Sequence, residues 1–165
     1  MNAPTPTGRI LTTGSGLDLV VTRTLPGSID DAWASLTEPE RTARWMGRWE
    51  GDAAPGATVR LQLGFEHDSP WSDVRIVDCE PPRRLRLMLL TPGAPWEVEL
   101  ELTAAGERSE LRFVQRGITA EEAPGVAPGW EWYLDQLAAS MRDAPLPSFD
   151  DYFPAQRDYY ARQLP

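Results

Sequence analysis

The strongest hydrophobic pattern in the chain lies between Gly129 and Arg142. Its apolar residues recur with the i, i+3, i+4, i+7 spacing of one helix face, and they are Trp130, Tyr133, Leu134, Leu137, Ala138 and Met141. This spacing predicts a helix of about four turns. Because an apolar helix face must be covered, we expect it to pack on the strands that are predicted upstream.

A period of two replaces the helical period in most of the chain before this helix. Alternating apolar and polar residues predict six strands, at 17–25, 58–65, 73–77, 85–90, 96–102 and 111–116. Residues 9–12 could pair with the first of them across a Gly-containing turn as a seventh strand. The connections after residue 58 are too short for a crossover helix, so we expect an antiparallel meander.

Two short helices are predicted between the first strand and the meander. Each would start at a Ser or Thr that is followed three residues later by an acidic residue, which is the capping-box pattern. Ser28 starts the first helix, which runs to Leu36, and Thr37 starts the second, which ends near Met46. The order of the elements therefore predicts an α+β fold.

Length and charge limit the broad class of protein. We expect one domain over residues 1–142, with residues 1–8 frayed, and an aromatic tail over 143–165 that forms a short helix after Pro154 and packs on the domain or on a partner subunit. The single Cys79, the lack of an apolar run of about 18 residues and the lack of a leader predict a cytoplasmic, bacterial protein without membrane insertion. The formal net charge is -9 and all 16 basic residues are Arg, which argues against nucleic acid binding.

The sequence offers few residues for catalysis or metal binding. With one histidine, His67, and one cysteine, neither a zinc site nor an acyl-transfer triad is expected, although a site made of carboxylates alone stays open. Glu97, Glu99 and Glu101 alternate strictly with apolar residues, so we interpret them as a solvated strand face opposite arginines of the next strand. We therefore predict no catalytic residues, no metal and no cofactor.

Three spaced segments carry a resemblance to a known family. They are DAWASLTEPERTARWMGRWEG at 31–51, DCEPPRRLRL at 78–87 and GWEWYLDQLA at 129–138. Together they resemble the family related to the carboxy-terminal domain of the activator of heat-shock protein 90 ATPase, in the START-like (SRPBCC) superfamily, which also holds polyketide cyclases. The resemblance covers about residues 8–142 and implies a helix-grip fold. In that fold a curved antiparallel sheet, here of about six or seven strands, wraps around the long helix and leaves a cavity between them.

The implied cavity directs attention to aromatic and polar residues. The chain has seven tryptophans, and large aromatic side chains suit a pocket for flat or amphipathic ligands, although they could equally fill the core. Gln115 faces inward on its strand and needs a partner, and His67 is of the residue type that titrates near neutral pH. The candidate pocket residues are Trp45, Trp49, Phe65, His67, Trp71, Phe113, Gln115, Trp130, Tyr133, Leu134 and Leu137.

Three functions stay open at this point. The first is the binding of a small hydrophobic or amphipathic molecule by a monomer or homodimer, because the resemblance implies a superfamily in which most members bind such ligands. The second is a polyketide cyclase or aromatase, in which Tyr133, Gln115 and His67 would orient and protonate a folded chain. The third is a protein-interaction or chaperone-regulating module that uses the aromatic tail.

Overall fold

The computed structural model describes residues 4–165, and within that range it contains one antiparallel sheet of eight strands. The strands are β1 (Arg9–Thr13), β2 (Gly16–Pro26), β3 (Trp49–Glu50), β4 (Thr58–Gln62), β5 (Trp71–Glu80), β6 (Arg84–Leu90), β7 (Trp96–Ala105) and β8 (Arg108–Arg116). Their order in the sheet is β1-β2-β8-β7-β6-β5-β4-β3. The run from β4 to β8 is therefore the predicted meander.

Four helices and one 3-10 turn accompany the sheet in the described residues. They are α1 (Ile29–Thr37), α2 (Pro39–Thr42), α3 (Ala123–Met141), the 3-10 turn (Phe149–Asp151) and α4 (Arg157–Ala161). None of these helices is long and apolar enough to cross a bilayer. The long helix against one antiparallel sheet confirms the α+β helix-grip fold.

The sheet has one strand more than the six or seven that were predicted. The additional strand, β3, contains only two residues, too few for an alternation to be visible in the sequence. The prediction that β4 reaches Phe65 is wrong, because residues 63–70 fold back as a turn in which Asp68 and Ser69 adopt positive φ angles of 63° and 43°. A strand cannot continue through such conformations.

The two short helices differ in how they begin. For α1 the capping prediction is confirmed, since Ser28 Oγ accepts a hydrogen bond from Asp31 N at 3.1 Å. For α2 it is wrong, because Thr37 lies in the last turn of α1 and its hydroxyl donates to the Trp33 carbonyl at 2.8 Å. The second helix starts instead at Pro39, whose fixed φ suits a first turn, and it is shorter than predicted.

The long helix α3 begins at Ala123, well before the predicted start at Gly129. The signal for this earlier start is a capping box just upstream: Glu122 N donates to Thr119 Oγ1 at 3.0 Å, and Thr119 N donates to Glu122 Oε2 at 3.1 Å. The prolines and glycines after it, including Pro128 inside the helix, read as a loop in the sequence. The helix therefore extends past the apolar stripe that predicted it.

The core is divided into two clusters. The larger one joins α1 and α3 to the inner faces of β2, β7 and β8, and its most buried side chains include Leu19, Val21, Leu111 and Leu137. The smaller one consists of Val59, Val74 and Ile76 of β4 and β5, with half-buried neighbours. Among the described residues, the backbone of α3 comes closest to β2, and its Trp130 side chain contacts Phe113 and Gln115 of β8. The backbone of the helix stands away from β4, β5 and β6.

The acidic row of β7 lies on the outer face of the sheet. The register places it opposite Arg112 and Arg116, as expected. The prediction that the whole row is solvated is wrong for Glu99, which is only 5% exposed because Arg84 and Arg116 cover it with ion pairs of 3.1 and 2.9 Å. Burial alone would raise the pKa of Glu99, but the hydrogen bond from Arg116 and the charge of Arg84 outweigh it and lower that pKa.

The far side of α3 carries a partly buried charge network formed by Thr7, Arg23, Glu131, Asp135 and Tyr152. Arg23 of β2 donates to Asp135 Oδ1 at 2.7 Å and to Glu131 Oε1 at 3.2 Å. The Glu131 side chain is 0% exposed and also accepts a hydrogen bond from Thr7 N at 3.0 Å. Tyr152 of the tail donates to Asp135 Oδ2 at 2.6 Å. This far-side network therefore ties together the amino-terminal segment, the sheet, α3 and the tail.

The carboxy-terminal tail also covers the free edge of β1. Ile10 N donates to Gln163 Oε1 at 2.8 Å, and Gln163 Nε2 donates to the Gly8 carbonyl at 3.1 Å. One side-chain amide thus occupies the positions that a neighbouring strand would take.

The segment at residues 1–8 was expected to be frayed, and the structure describes residues 4–8 of it. Residues 1–3 lie outside the described range. Gly8 is buried and its N–H donates to the hydroxyl of Tyr160 at 3.2 Å, and Thr7 belongs to the far-side network. In the structure, partners distant in sequence therefore hold these two residues.

Candidate functional site

A cavity of about 800 Å³ lies between the amino-terminal half of α3 and strands β4 to β7. It occupies the space between the two core clusters, with the end of α1 and the segment after it closing one side. The strands contribute aliphatic side chains, among them Leu61, Val74, Leu85, Leu87, Leu89 and Val98. The cavity therefore exists because α3 covers one half of the sheet and leaves the other open.

Two glycines of α3 enlarge this cavity. Gly125 and Gly129 are four residues apart, so they lie on the same face of the helix, and both line the cavity. A Cβ added at either position would find no atom within 4 Å beyond the neighbouring helix backbone. Each glycine costs about 1 kcal/mol of helix stability relative to alanine. What the two positions provide instead is open space against the helix backbone.

Aromatic rings form much of the remaining wall. They are Trp45, Trp49, Phe65, Trp96, Phe113, Trp130, Trp132, Tyr133 and Phe149. Four of the indole N–H groups donate to protein acceptors, namely Trp45 to Ser35 O (2.8 Å), Trp49 to Thr37 O (2.9 Å), Trp130 to Gln115 Oε1 (2.7 Å) and Trp132 to Pro147 O (3.0 Å). With their donors engaged, these rings offer a ligand mainly apolar surface.

The structure brings most of the predicted pocket residues together. Those that line the cavity are Trp45, Trp49, Phe65, His67, Phe113, Trp130, Tyr133 and Leu134. The other three do not reach the lining. Gln115 faces inward and is 1% exposed, but its side-chain oxygen accepts the hydrogen bond from Trp130. Leu137 lies deeper in the packed core, and Trp71 stacks under Arg48 and Arg60 instead.

The main polar feature of the wall is a pair formed by Tyr133 and Glu66. The Tyr133 hydroxyl donates to Glu66 Oε2. Burial of the phenol, reinforced by the hydrogen bond to Glu66 and its charge, raises the pKa of Tyr133 far above its ordinary value. The phenol therefore stays protonated, and the pair carries the single negative charge of Glu66.

Two further titratable side chains belong to the lining. His67 lies at the mouth with 96% of its side chain exposed, 3.4 Å from Asp68. Cys79 is half-buried, and its desolvation raises the pKa of the thiol. In the described residues no group of three histidine, cysteine or carboxylate side chains is placed to hold a metal ion.

Sequence reasoning missed several lining residues. Gly125 lies before the predicted start of the helix and Gly129 lies at that start, although their spacing of four is a helical signal once the capping box at Thr119 is noticed. Glu66 lay in a connection, and Phe149 lay in the tail, where no periodicity points to the cavity. Other missed lining residues, such as Leu87, Trp96 and Val98, lie on predicted strands, where alternation places a side chain inside but does not show that it borders a void.

Comparison with known families identifies the architecture. A family model described as activator of Hsp90 ATPase homolog 1-like protein matches residues 26–142, well over half of the chain. The chain belongs to this family. The matched range includes the whole cavity wall except Phe149, which the tail supplies.

Solved structures of similar proteins share the fold. The crystal structure of CalU16 from Micromonospora echinospora is 25% identical, with 95% of each chain covered and a TM-score of 0.75. The protein encoded by gene BPP1335 from Bordetella parapertussis is 28% identical over 99% of this chain and 93% of its own, with a TM-score of 0.77. DynU16, a protein in the dynemicin biosynthetic locus, is 25% identical over 80% of this chain and 50% of its own, with a TM-score of 0.70. A search of curated proteins found no match.

Proposed function

We propose that the chain binds a small hydrophobic or amphipathic molecule in the cavity between α3 and strands β4 to β7. The observation that carries this proposal is the cavity itself, about 800 Å³ in volume and lined largely by apolar side chains. Close-packed protein interiors hold few voids larger than a water molecule, whereas ligand pockets typically measure about 300–1,000 Å³. A void of this size has the volume of a binding site.

The composition of the helix supports the same proposal. Gly125 and Gly129 lower the stability of α3 and leave space against its backbone, and larger residues at these positions would fill that space. The engaged indole donors leave apolar surface facing that space. Such walls would hold a ligand chiefly by shape and by apolar burial, worth about 25 cal/mol per Å².

The substitution Gly129→Leu tests the proposal by filling the cavity from the helix side. We expect the variant to fold with a free energy of unfolding equal to or about 0.5–1 kcal/mol above the wild type, because leucine favours a helix. Its affinity for 1-pyrenemethanol, a neutral apolar probe, should fall about tenfold or more, because the leucine takes the space of buried probe atoms. Energy transfer from the tryptophans to the probe measures the affinity, and urea unfolding measures the stability.

A matched control is available at Gly14, in the turn between β1 and β2, where an added Cβ also meets nothing within 4 Å. Gly14→Leu makes the same chemical change away from the cavity and should leave probe affinity unchanged. If the wild type does not take up the probe, or if Gly129→Leu binds it as well as Gly14→Leu does, the proposed function is wrong.

A second candidate function is an enzyme of the polyketide cyclase kind. It is favoured by the hydrogen-bonded pair of Tyr133 and Glu66 in the cavity wall, a type of pair that can orient a bound substrate and exchange a proton with it. The similar protein DynU16 belongs to a biosynthetic locus. Of the three residues named for this role, Tyr133 and His67 line the cavity, whereas Gln115 is engaged with Trp130.

Product analysis tests this candidate. A poly-β-ketone thioester incubated with the wild type should give a ring pattern different from that formed in buffer, and Tyr133→Phe should return the pattern toward the uncatalysed one. Identical products with and without the protein would leave ligand binding as the only candidate.

A further inference from the structure

We infer that the cavity selects ligands with a neutral or cationic head group that donates hydrogen bonds, and that it discriminates against anionic head groups. The head group would lie at Glu66, beside Tyr133 in the cavity wall. This inference rests on the proposed binding function and adds the chemical class of the ligand.

The first ground is the absence of positive charge around the cavity. No arginine lines the cavity within the described residues, and the whole sequence contains no lysine. The arginines are engaged elsewhere: Arg48 and Arg60 stack on Trp71, and Arg84 is paired with Glu99. A carboxylate or phosphate head group inside the cavity would find no guanidinium, and an anion that is buried without a partner is strongly disfavoured.

The one basic side chain in the lining is His67. It is 96% exposed at the mouth, and its Nε2 lies 3.4 Å from the carboxylate of Asp68, whose own side chain is also exposed. A group so solvated gives little attraction to an anion even when it is protonated. Even with His67 protonated, the three exposed side chains Glu66, His67 and Asp68 together carry no net positive charge for an anion.

The second ground is the shortage of hydrogen-bond donors in the wall. Of the five lining indoles, four already donate to protein acceptors. The N–H of Trp96 and the hydroxyl of Ser72 are lining donors that have no acceptor among the described residues. The hydroxyls of Thr37, Thr42 and Thr91 also line the cavity, and each donates to a backbone carbonyl, at 2.8, 3.2 and 2.8 Å. What remains accessible on these three threonine hydroxyls is their oxygen lone pairs. A wall that mostly accepts hydrogen bonds suits a ligand that donates them.

The third ground is the geometry of the Glu66 and Tyr133 pair. Tyr133 uses its only proton on Glu66 Oε2, and Glu66 Oε1 accepts no hydrogen bond from any described residue. The pair therefore offers one carboxylate oxygen and the phenol oxygen, both acceptors, and one negative charge. An ammonium group can donate to both oxygens and an alcohol or phenol to one of them, whereas a carboxylate head would be repelled by Glu66.

A series of probes with one apolar body tests the inference. It consists of 1-pyrenemethylamine, 1-pyrenemethanol and 1-pyrenecarboxylate, which differ chiefly in the charge and donors of the head group. We expect the wild type to bind the ammonium probe most tightly and the carboxylate most weakly, with about a tenfold difference in Kd between these two. In Glu66→Gln, which keeps an acceptor for Tyr133 but removes the charge, the difference should fall to about twofold.

The matched control is Glu107→Gln, the same change in net charge in the exposed turn between β7 and β8. It should keep the wild-type order of affinities. If the carboxylate probe binds as tightly as the ammonium probe, if Glu66→Gln keeps the order, or if Glu107→Gln loses it equally, the head-group inference is wrong. In those cases the proposed function would still stand if the wild type binds all three probes and Gly129→Leu loses that binding. If the wild type binds none of the probes, both the head-group inference and the proposed function are wrong.

Discussion

The two sides of α3 differ in what their residues contact: one side carries charged side chains with partners, and the other borders the cavity. On the far side, Glu131 and Asp135 are buried or half-buried carboxylates held by Arg23, Thr7 and Tyr152. On the cavity side, glycines replace side chains and the neighbouring strands stand apart from the helix. The far side makes hydrogen bonds and ion pairs with other segments of the chain, and the cavity side leaves space beside the helix. The difference separates the face of α3 that holds the fold together from the face that borders the cavity.

The largest expected effect comes from breaking the far side. Glu131→Ala removes a fully buried carboxylate and leaves Arg23 and Thr7 short of a partner, so the free energy of unfolding should fall by about 3–5 kcal/mol. Urea unfolding measures this change. Glu110→Ala, at an exposed position that bonds only to Thr24, is the control and should change stability by less than about 0.5 kcal/mol. A loss below about 1 kcal/mol for Glu131→Ala would contradict the structural role of the far-side network.

The next largest effect compares a leucine-to-alanine substitution in the packed core with the same substitution in the cavity wall. Leu137→Ala removes a fully buried core side chain and should cost about 3 kcal/mol. Leu87→Ala removes a half-buried side chain that already borders the cavity, so it should cost only about 1 kcal/mol, because there are fewer neighbours to lose. Equal losses in urea unfolding would mean that the cavity is closed by packing in solution.

A smaller effect compares two tyrosine hydroxyls. Tyr152→Phe removes the hydrogen bond to Asp135 Oδ2, while Oδ1 keeps the one from Arg23, and should cost about 1–2 kcal/mol. Tyr133→Phe frees Glu66, an exposed carboxylate that water can solvate, and should cost about 0.5 kcal/mol. Thermal unfolding of both variants measures the contrast, and the reverse order would place the more important hydrogen bond on the cavity side.

The smallest effect concerns alkaline pH. Burial raises the pKa of Tyr133, Tyr152 and Tyr160, each also influenced by a nearby carboxylate. In the unfolded chain these phenols ionise near pH 10 while the folded ones stay protonated, so stability is complete below that pH and is lost above it. Each tyrosine should account for about 0.8 kcal/mol at pH 10.5, and Tyr152→Phe should show a correspondingly shallower decline. The sequence has no lysine to obscure the measurement.

Most of the fold followed from periodicity, because each strand of the meander has an apolar face and a polar face. Alternation could not indicate β3, because that strand is too short. The start of α3 was also missed, because a cap and not apolar spacing marks it. Local patterns cannot indicate a partner that is distant in sequence. The burial of Glu99 depends on arginines of two neighbouring strands, and it was misjudged for that reason.

The candidate site was predictable only in part for a related physical reason. Periodicity predicts that rings such as Trp130 and Phe113 face inward, but it does not distinguish a ring that borders a void from one that fills the core. Gln115 was correctly placed inside, yet its partner is an indole and not a ligand. A void is a space without side chains, and in the sequence Gly125 and Gly129 are the residues that indicate it, because they have no side chain.

The amide of Gln163 against β1 has a consequence for association between chains. A free strand edge presents unpaired N–H and C=O groups that can template pairing with another molecule. By bonding to Ile10 N and the Gly8 carbonyl, this side chain shields the first half of the edge of β1, which also carries the exposed Leu11. A chain shortened before Gln163 would expose that edge, and the last residues therefore protect the protein against edge-to-edge aggregation.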